Sequence, residues 1–315
     1  MSIRTVLGDI QARELGRTDH HEHLFQVTPL LPVDELDDEN LSGQEAASLR
    51  KAGIDAMVEA TPIGLGRNPS AVARIAARTG LHIVLTTGAH REAHYPEGHV
   101  LLDATEQRMA DRFVTDLTAG ADDTFAAPDG SNAAPGSGIR AGLLKAGIGY
   151  WSISAFEQRV LAAVATAHRS TGASVMVHLE HGSAAFEVLD ALTGAGVRAD
   201  RIALAHIDRN PDPVLHAELA DAGCYLGYDD MARHREWPDS ALLECLARVA
   251  GSGGAERILL GGDVTRRTRY RAYGGIPGLT YLPTRFVPRL QRELGAEHSH
   301  RILVDNPARW LDRAP

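Results

Sequence analysis

The chain alternates short apolar runs with longer segments whose apolar residues recur at a helical period. A polar or glycine-containing turn follows each apolar run. Several helical segments carry end signals, such as the capping box of Ser154 and Glu157 and the glycine at 172. Strands that alternate with helices are typical of parallel β/α units. The apolar runs span residues 53–60, 81–88, 138–145, 173–180, 201–208, 224–229 and 257–263.

A further strand that ends near residue 21 brings the predicted strands to eight. Eight β/α units in about 250 residues is the content of a (β/α)8 barrel, or TIM barrel. A doubly wound sheet is the competing architecture, and it is disfavoured because no GxGxxG motif follows the first strand. We therefore predict an α/β fold with one barrel domain over residues 1–315. The strands are predicted to end near residues 21, 60, 88, 145, 178, 206, 228 and 263.

Composition and charge narrow the class of protein. The 41 acidic and 32 basic residues give a net charge of −9, which disfavours binding to nucleic acid or to anionic lipid. No apolar run reaches the roughly 18 residues of a membrane span, and no secretory signal is visible, so we expect a cytoplasmic protein. The spacing of Cys224 and Cys245 matches no zinc or redox motif. The Gly- and Pro-rich stretch 124–138 is predicted to be a loop.

Histidines number 15, and several of them fall where predicted strands end. In a barrel the chemistry lies at the carboxyl ends of the strands, so polar side chains at those ends are candidate ligands. His21 and His23 are two residues apart, so both face one side of the first strand while Glu22 faces the other. Imidazole is the commonest metal ligand in proteins. Four further strands contribute one candidate each, namely Lys145, His178, His206 and Asp263.

Each of these residues also has an ordinary structural explanation. His178 and His206 could be core histidines bonded to the backbone, and Asp263 could be a helix N-cap. Lys145 could extend its ammonium group out of a strand end. However, this explanation needs six independent coincidences at one rim of the barrel. We therefore interpret the set as a metal site.

The motifs resemble those of the phosphotriesterase-like branch of the amidohydrolase superfamily. The resemblance runs over nearly the whole chain and depends on the motifs in combination. Single histidines on the fifth and sixth strands and a lysine on the fourth are part of it. The other motifs are HEH (21–23), EATPIGLGRNP (59–69), GGD (261–263) and DNPARWL (305–311).

This resemblance implies a centre of two divalent ions. Lys145, converted by CO2 to a carbamate, would bridge the ions together with a hydroxide, because a protonated lysine is a poor ligand for cations. Asp263 would take the proton of the hydroxide and return it to the leaving alkoxide. Zinc is the metal that we expect first, with manganese, cobalt or iron as alternatives. The implied ligands are His21, His23 and Asp263 for one ion, and His178 and His206 for the other.

Two arginine clusters on predicted rim loops bear on the substrate. In an acidic protein they reverse the charge locally, and guanidinium groups suit phosphate. A solvated surface paired with carboxylates is the alternative interpretation. The clusters comprise Arg233 and Arg235 after the seventh strand, and Arg266, Arg267, Arg269 and Arg271 after the eighth.

The sequences of these loops resemble those of the sub-branch whose members open phosphorylated sugar lactones. Arg235 and Arg266 match phosphate-binding positions of that sub-branch. Members of the sub-branch carry a tyrosine one turn later, and two residues here could correspond to it. Arg269 holds the matching position, and Tyr270 lies one residue after that position. Asp230 stands where a glycine is usual. The resemblance thus implies a hydrolase whose small anionic substrate is a phosphorylated γ-lactone. It also implies that the protein is a homodimer.

Other functions stay open. A phosphotriesterase or carboxylic esterase ranks second, because it needs an apolar pocket and aromatic residues make up only 5% of the chain. Homoserine-lactone hydrolysis ranks third, and a non-catalytic binding protein on the same barrel is a further alternative. His90, His94 and Tyr95 are additional candidates for lining the pocket. By contrast, His168 and His216 are expected on the surfaces of helices.

Overall fold

The structure of the chain is a computed structural model that describes residues 2–125 and 138–313. Most of the loop predicted at 124–138 therefore lies outside the described residues. A short antiparallel hairpin of β1 (Ser2–Thr5) and β2 (Gly8–Gln11) precedes the main sheet.

Eight parallel strands form a nearly closed barrel in which each strand pairs with the next along the chain. A backbone hydrogen bond of 2.9 Å from Asp263 N to His21 O links the two ends of the sheet. The predicted (β/α)8 barrel is therefore confirmed, and the doubly wound alternative is wrong. The strands are β3 (Thr18–Glu22), β4 (Ala56–Glu59), β5 (His82–Gly88), β6 (Leu143–Ile148), β7 (Val175–Leu179), β8 (Ile202–Ala205), β9 (Tyr225–Tyr228) and β10 (Ile258–Leu260).

Helices alternate with the strands, and local sequence explains several of their ends. Ser154 and Glu157 form the predicted capping box, and Gly172 ends that helix in the left-handed conformation. The helices are α1 (Glu39–Lys51), α2 (Pro69–Thr79), α3 (Glu106–Thr118), α4 (Ala155–Thr171), α5 (Ala185–Gly194), α6 (Pro213–Asp221), α7 (Asp239–Gly251), α8 (Val287–His300) and α9 (Asn306–Leu311). Within the described ranges, none of these helices has the length and apolarity needed to cross a membrane.

The barrel interior is filled with apolar side chains at its amino-terminal end. Leu143, Met176 and Leu259 pack there with Trp310, which is fully buried. The opposite end of the interior, at the carboxyl ends of the strands, holds buried polar side chains instead. This division leaves one mouth of the barrel available for chemistry.

Three positions differ from the sequence prediction. Strand β6 continues to Ile148, so Lys145 lies inside the strand rather than at its end. The expectation of surface positions for His168 and His216 is wrong, because both side chains are buried. His216 is held by a 2.6 Å hydrogen bond between its Nδ1 and the hydroxyl of Tyr228.

Candidate active site

The six predicted ligands lie together at the carboxyl-terminal mouth of the barrel, and all are buried. Asp263 Oδ1 lies 3.6 Å from His21 Nε2 and 3.5 Å from His23 Nε2. Lys145 Nζ lies 3.0 Å from His21 Nε2. The ring centroids of His178 and His206 are 4.5 Å apart. We call these six residues the histidine cluster.

Backbone conformation helps to turn two of these side chains into the mouth. His206 follows β8 with φ +64°, and Asp263 lies three residues beyond β10 with φ +43°. Non-glycine residues seldom adopt this left-handed region, and where they do the surrounding structure has to hold them there. At Asp263, the hydrogen bond from its N–H to His21 O supplies part of that restraint.

A buried carboxylate that the sequence analysis missed orients two of the histidines. Asp229 accepts hydrogen bonds from His21 Nδ1 at 2.8 Å and from His206 Nδ1 at 2.6 Å. Asp208 in turn accepts from the backbone N–H of Asp229 at 3.0 Å. With both Nδ1 atoms occupied, the Nε2 atoms of the two rings remain for a metal ion. The signal in the sequence was the pair of carboxylates directly after β9.

The other two histidines are oriented in the same way. His23 Nδ1 lies 2.7 Å from Thr61 Oγ1, and the Thr61 hydroxyl donates to Phe25 O, so the imidazole must be the donor in the first contact. His178 Nε2 donates to Glu180 Oε2 at 2.9 Å. These bonds leave His23 Nε2 and His178 Nδ1 as the nitrogens that can bind an ion.

The electrostatic state of the cluster suits cation binding. Burial lowers the pKa of His206 to about 3 and holds the pKa values of His21 and His178 well below their usual range. These rings are therefore neutral at pH 7 and have lone pairs to donate. Burial alone would raise the pKa of the Asp263 carboxyl, but the Arg233 guanidinium beside it holds that pKa well below its usual value. Burial lowers the pKa of Lys145 to about 8.

This donor set fits the two divalent ions that the family resemblance implies. Neutral imidazoles and an ionised carboxylate are the ligands that zinc and similar ions prefer. The candidate ion-binding groups of the described chain include His21, His206 and Asp263, whose ligand atoms all lie within 4.8 Å of one another. Each histidine also has its second nitrogen engaged, as in established metal sites.

A cavity of about 480 Å³ adjoins the histidine cluster on the side of β8, β9 and β10. Arg209 Nη2 lies 3.4 Å from Asp263 Oδ2, and Arg233 donates to the same oxygen. The cavity is strongly cationic, because five of the described residues that line it are arginines, whereas two, Asp230 and Glu236, are acidic. We call it the arginine cavity. Its arginines are Arg209, Arg233, Arg235, Arg266 and Arg269.

The structure thus brings Arg235, Arg266 and Arg269 together at one cavity. Tyr270 does not line this cavity: its side chain is fully buried, and its hydroxyl donates to His23 O. Two further arginines of the same loop also have other partners. Arg267 Nη2 lies 3.1 Å from Asp37, and Arg271 Nε donates to Pro277 O at 2.6 Å.

Arg209 was not assigned a role from the sequence, and Arg233 was assigned only to one of the two arginine clusters. Asp230 joins them, since its Oδ1 lies 3.1 Å from Nε of each arginine. This carboxylate is the residue that stands where a glycine is usual, and it fixes both guanidinium groups beside Asp263. In the sequence, a role for Arg209 could have been inferred from its position three residues after the candidate ligand His206.

The additional pocket candidates lie near His178 rather than in the arginine cavity. The ring centroid of His90 is 4.5 Å from that of His178 and 3.7 Å from that of His94. The Tyr95 hydroxyl donates to Ile63 O at 3.0 Å. None of the three is among the described residues that line the arginine cavity.

Comparisons with known proteins agree with this geometry. Residues 1–311 match the model of the phosphotriesterase family. The phospho-furanose lactonase of Mycoplasmopsis synoviae is 29% identical over 324 residues, which cover 98% of this chain and 91% of that protein. A lactonase from Listeria monocytogenes has a similar structure, with a TM-score of 0.88, 28% identity and full coverage of both chains.

A second solved structure is of interest because of the anion in its active site. The phosphotriesterase homology protein of Escherichia coli was solved in complex with phosphate in the active site. It matches with a TM-score of 0.85 and 27% identity, over 95% of this chain and 99% of that one. Together with the family match over residues 1–311, the fold and the ligand set lead to one conclusion: this chain belongs to the phosphotriesterase family.

Proposed function

We propose that this protein is a metal-dependent hydrolase that opens the ring of a phosphorylated sugar γ-lactone. The observation that carries the proposal is the direct contact between the histidine cluster and the arginine cavity. Arg209 and Arg233 both reach the Oδ2 atom of Asp263, whose Oδ1 atom faces His21 and His23. A small substrate can therefore place its carbonyl at the cluster while its phosphate lies in the cavity. The lactonase relative and the phosphate-bound relative support this assignment.

The histidine cluster would hold two divalent ions, which we expect to be zinc, with manganese, cobalt or iron as alternatives. When bound, such ions supply a water of lowered pKa and polarise the carbonyl oxygen of an ester. Lys145 would join them as its carbamate. Burial favours this modification, because lowering the pKa of Lys145 to about 8 increases the fraction of neutral amine, the form that reacts with CO2.

Asp263 would move the proton in this reaction. Its carboxylate is ionised in the resting site, so it can accept a proton from the attacking water. Opening a lactone leaves an alkoxide tethered to the product, and Asp263 can return the proton to that oxygen. Arg209 and Arg233 hold the carboxylate in place through Oδ2, while Oδ1 is directed at the ligands.

The arginine cavity would bind the phosphate through Arg235, Arg266 and Arg269. Arg269 takes the third position rather than Tyr270, because Tyr270 is buried against His23 O. Guanidinium groups offer paired N–H donors that match phosphate oxygens. Binding a remote phosphate fixes the lactone carbonyl near the reacting groups, which raises the rate of attack.

A panel of metal-loaded assays tests the proposal. We expect a γ-lactone bearing a phosphate to be hydrolysed with a kcat/KM at least about 10-fold above that of its dephosphorylated form, since charge-assisted contacts contribute roughly 1.5–3 kcal/mol. Preferred turnover of a paraoxon-type triester or a simple carboxylic ester would instead support the phosphotriesterase or esterase alternative. A protein that binds these compounds without turning any over would be a binding protein on the same barrel.

A further inference from the structure

A second groove of about 670 Å³ opens at the ends of β6, β7 and β8, beside the arginine cavity. His181 and Arg209 line both spaces. Arg209 also reaches Asp263 Oδ2 at 3.4 Å, so the groove and the histidine cluster share a wall. The groove therefore approaches the reacting groups from a side different from that of the arginine cavity. Its other lining residues include Tyr150, Trp151, Arg91, Glu180 and Asn210.

Two large aromatic rings are exposed along this groove. Tyr150 is 62% exposed and Trp151 is 65% exposed, although they lie only two and three residues beyond the buried strand β6. The Tyr150 ring stands edge to face with the His181 ring, with centroids 5.8 Å apart. Exposed Tyr and Trp side chains present an apolar face and a polar edge, a combination suited to ligand binding.

Hydrogen bonds to a neighbouring loop restrain the backbone around Trp151. Trp151 has φ +45°, in the left-handed region that bulky residues rarely adopt. Its N–H donates to Ser183 Oγ at 3.0 Å, and the Ser183 hydroxyl donates to Glu180 O at 2.7 Å. The loop after β6 is thereby fastened to the loop after β7. Both loops therefore keep the Trp151 ring at the edge of the groove.

Charge distinguishes this groove from the arginine cavity. Arg91 Nη2 lies 3.1 Å from Glu180 Oε2, and Arg209, which also lines the groove, pairs with Asp230 and Asp263, so both guanidinium groups have carboxylate partners. Glu180 also accepts from His178 Nε2, which ties the groove to a predicted metal ligand. An anion would gain little here, whereas a neutral ring that stacks on aromatic faces would be well accommodated.

We propose that this groove is a second substrate subsite that binds a neutral sugar ring attached to the phosphorylated lactone. The proposal rests on the lactonase function proposed above, and it extends the substrate class to glycosylated lactone phosphates. The C–H face of a sugar ring would pack against Tyr150 and Trp151, and Asn210 and His181 would hydrogen-bond its hydroxyl groups. The phosphate, the carbonyl and the sugar would then occupy the arginine cavity, the histidine cluster and the groove.

Binding can be measured without turnover, using the ring-opened acid of a glucosylated pentono-γ-lactone 5-phosphate as the probe. Of the three tryptophans, Trp310 is fully buried and Trp237 lies outside the groove, so Trp151 reports on it. We expect the probe to change the tryptophan emission of the metal-loaded protein. Trp151→Phe should abolish this change, and the control Trp237→Phe should keep it. An equal change in Trp151→Phe and in the unaltered protein would overturn the proposal.

Kinetics give a second readout that separates this subsite from the lactonase function. The glucosylated lactone phosphate should have a kcat/KM about 10-fold above that of the parent lactone phosphate, and Trp151→Ala should remove this ratio while Trp237→Ala retains it. If neither lactone is hydrolysed but the Trp151 emission still responds, the lactonase function fails and the subsite stands. If Trp151→Ala instead converts a dimer into a monomer in light scattering, the groove binds a second copy of the chain and the subsite proposal is wrong.

Discussion

The histidine cluster and the arginine cavity differ in what holds their side chains. In the cluster, Lys145 and His178 lie within strands, and Asp229 fixes His21 and His206 through two short hydrogen bonds. In the cavity, the arginines project from loops, and several are partly exposed. Rigid strands therefore position the reacting groups, while loops supply the contacts that select a substrate.

The two regions also differ in how strongly each side chain is constrained. Arg266 has a side chain that is 49% exposed, and its nearest carboxylate partner, Asp34, is 4.0 Å away. By contrast, every side chain of the histidine cluster is buried. The loop that carries Arg266 can thus change its anion contacts without disturbing the cluster. Substitutions in the two regions should have different kinetic signatures.

The largest effect is expected from removing a predicted metal ligand of the histidine cluster. His206→Ala should lower kcat for every substrate by about 1000-fold or more, because both the ion and its polarising effect are lost. The matched control is His216→Ala, another buried histidine, which bonds Tyr228 instead of facing the mouth. Full activity of His206→Ala with reduced activity of His216→Ala would reverse the assignment.

Asp229→Asn should weaken the cluster less severely. The amide cannot accept hydrogen bonds from both His21 and His206, so we expect the affinity for metal to fall about 10- to 100-fold. Titration of the metal-free protein with zinc measures this change. The neighbouring substitution Asp230→Asn should lower zinc affinity less, because Asp230 contacts arginines and none of the histidines of the cluster. Equal zinc affinities of Asp229→Asn and the unaltered protein would remove the proposed role of Asp229.

In the arginine cavity, the expected loss depends on the substrate. Arg266→Ala should lower kcat/KM for a phosphorylated lactone about 10- to 150-fold and leave the dephosphorylated lactone almost unaffected. Arg267→Ala is the control, since this residue of the same loop pairs with Asp37. Matching losses on both lactones would argue against a phosphate site.

The smallest effect concerns the pH dependence of Lys145 modification. With a pKa of about 8, the neutral fraction of Lys145 rises as the pH increases toward 8 and levels off above it. At a fixed concentration of dissolved CO2, reactivation of the metal-free protein by zinc should be slower by about 10-fold at pH 6 than at pH 7. Recovery rates that do not vary between pH 6 and pH 8 would contradict a carbamate.

Much of the fold and the ligand set could be predicted from the sequence because both depend on strand periodicity. The predicted strand ends at 88 and 228 coincide with the ends of β5 and β9, and the six candidate ligands converge as expected. Parallel strands in one barrel bring their carboxyl ends to one mouth, whatever the loops do.

The remaining features depend on contacts between distant segments. Arg267 turns away from the cavity because its loop is bound to a segment more than 200 residues earlier, where its backbone N–H donates to Asp34 O at 3.1 Å. His216 is buried because the hydroxyl of Tyr228 and the carbonyl of Ile207 are available to its ring. Such pairings are not encoded in local periodicity, so the sequence alone did not indicate them.

Anomalous diffraction from crystals of the purified protein, collected at the absorption edge of the metal found in it, would locate any ions bound at the mouth of the barrel. We expect two peaks roughly 3.5–4 Å apart, enclosed by His21, His23, Lys145, His178, His206 and Asp263. Absence of any peak within these residues, in a preparation whose hydrolase activity survives chelation, would contradict the proposed metal centre.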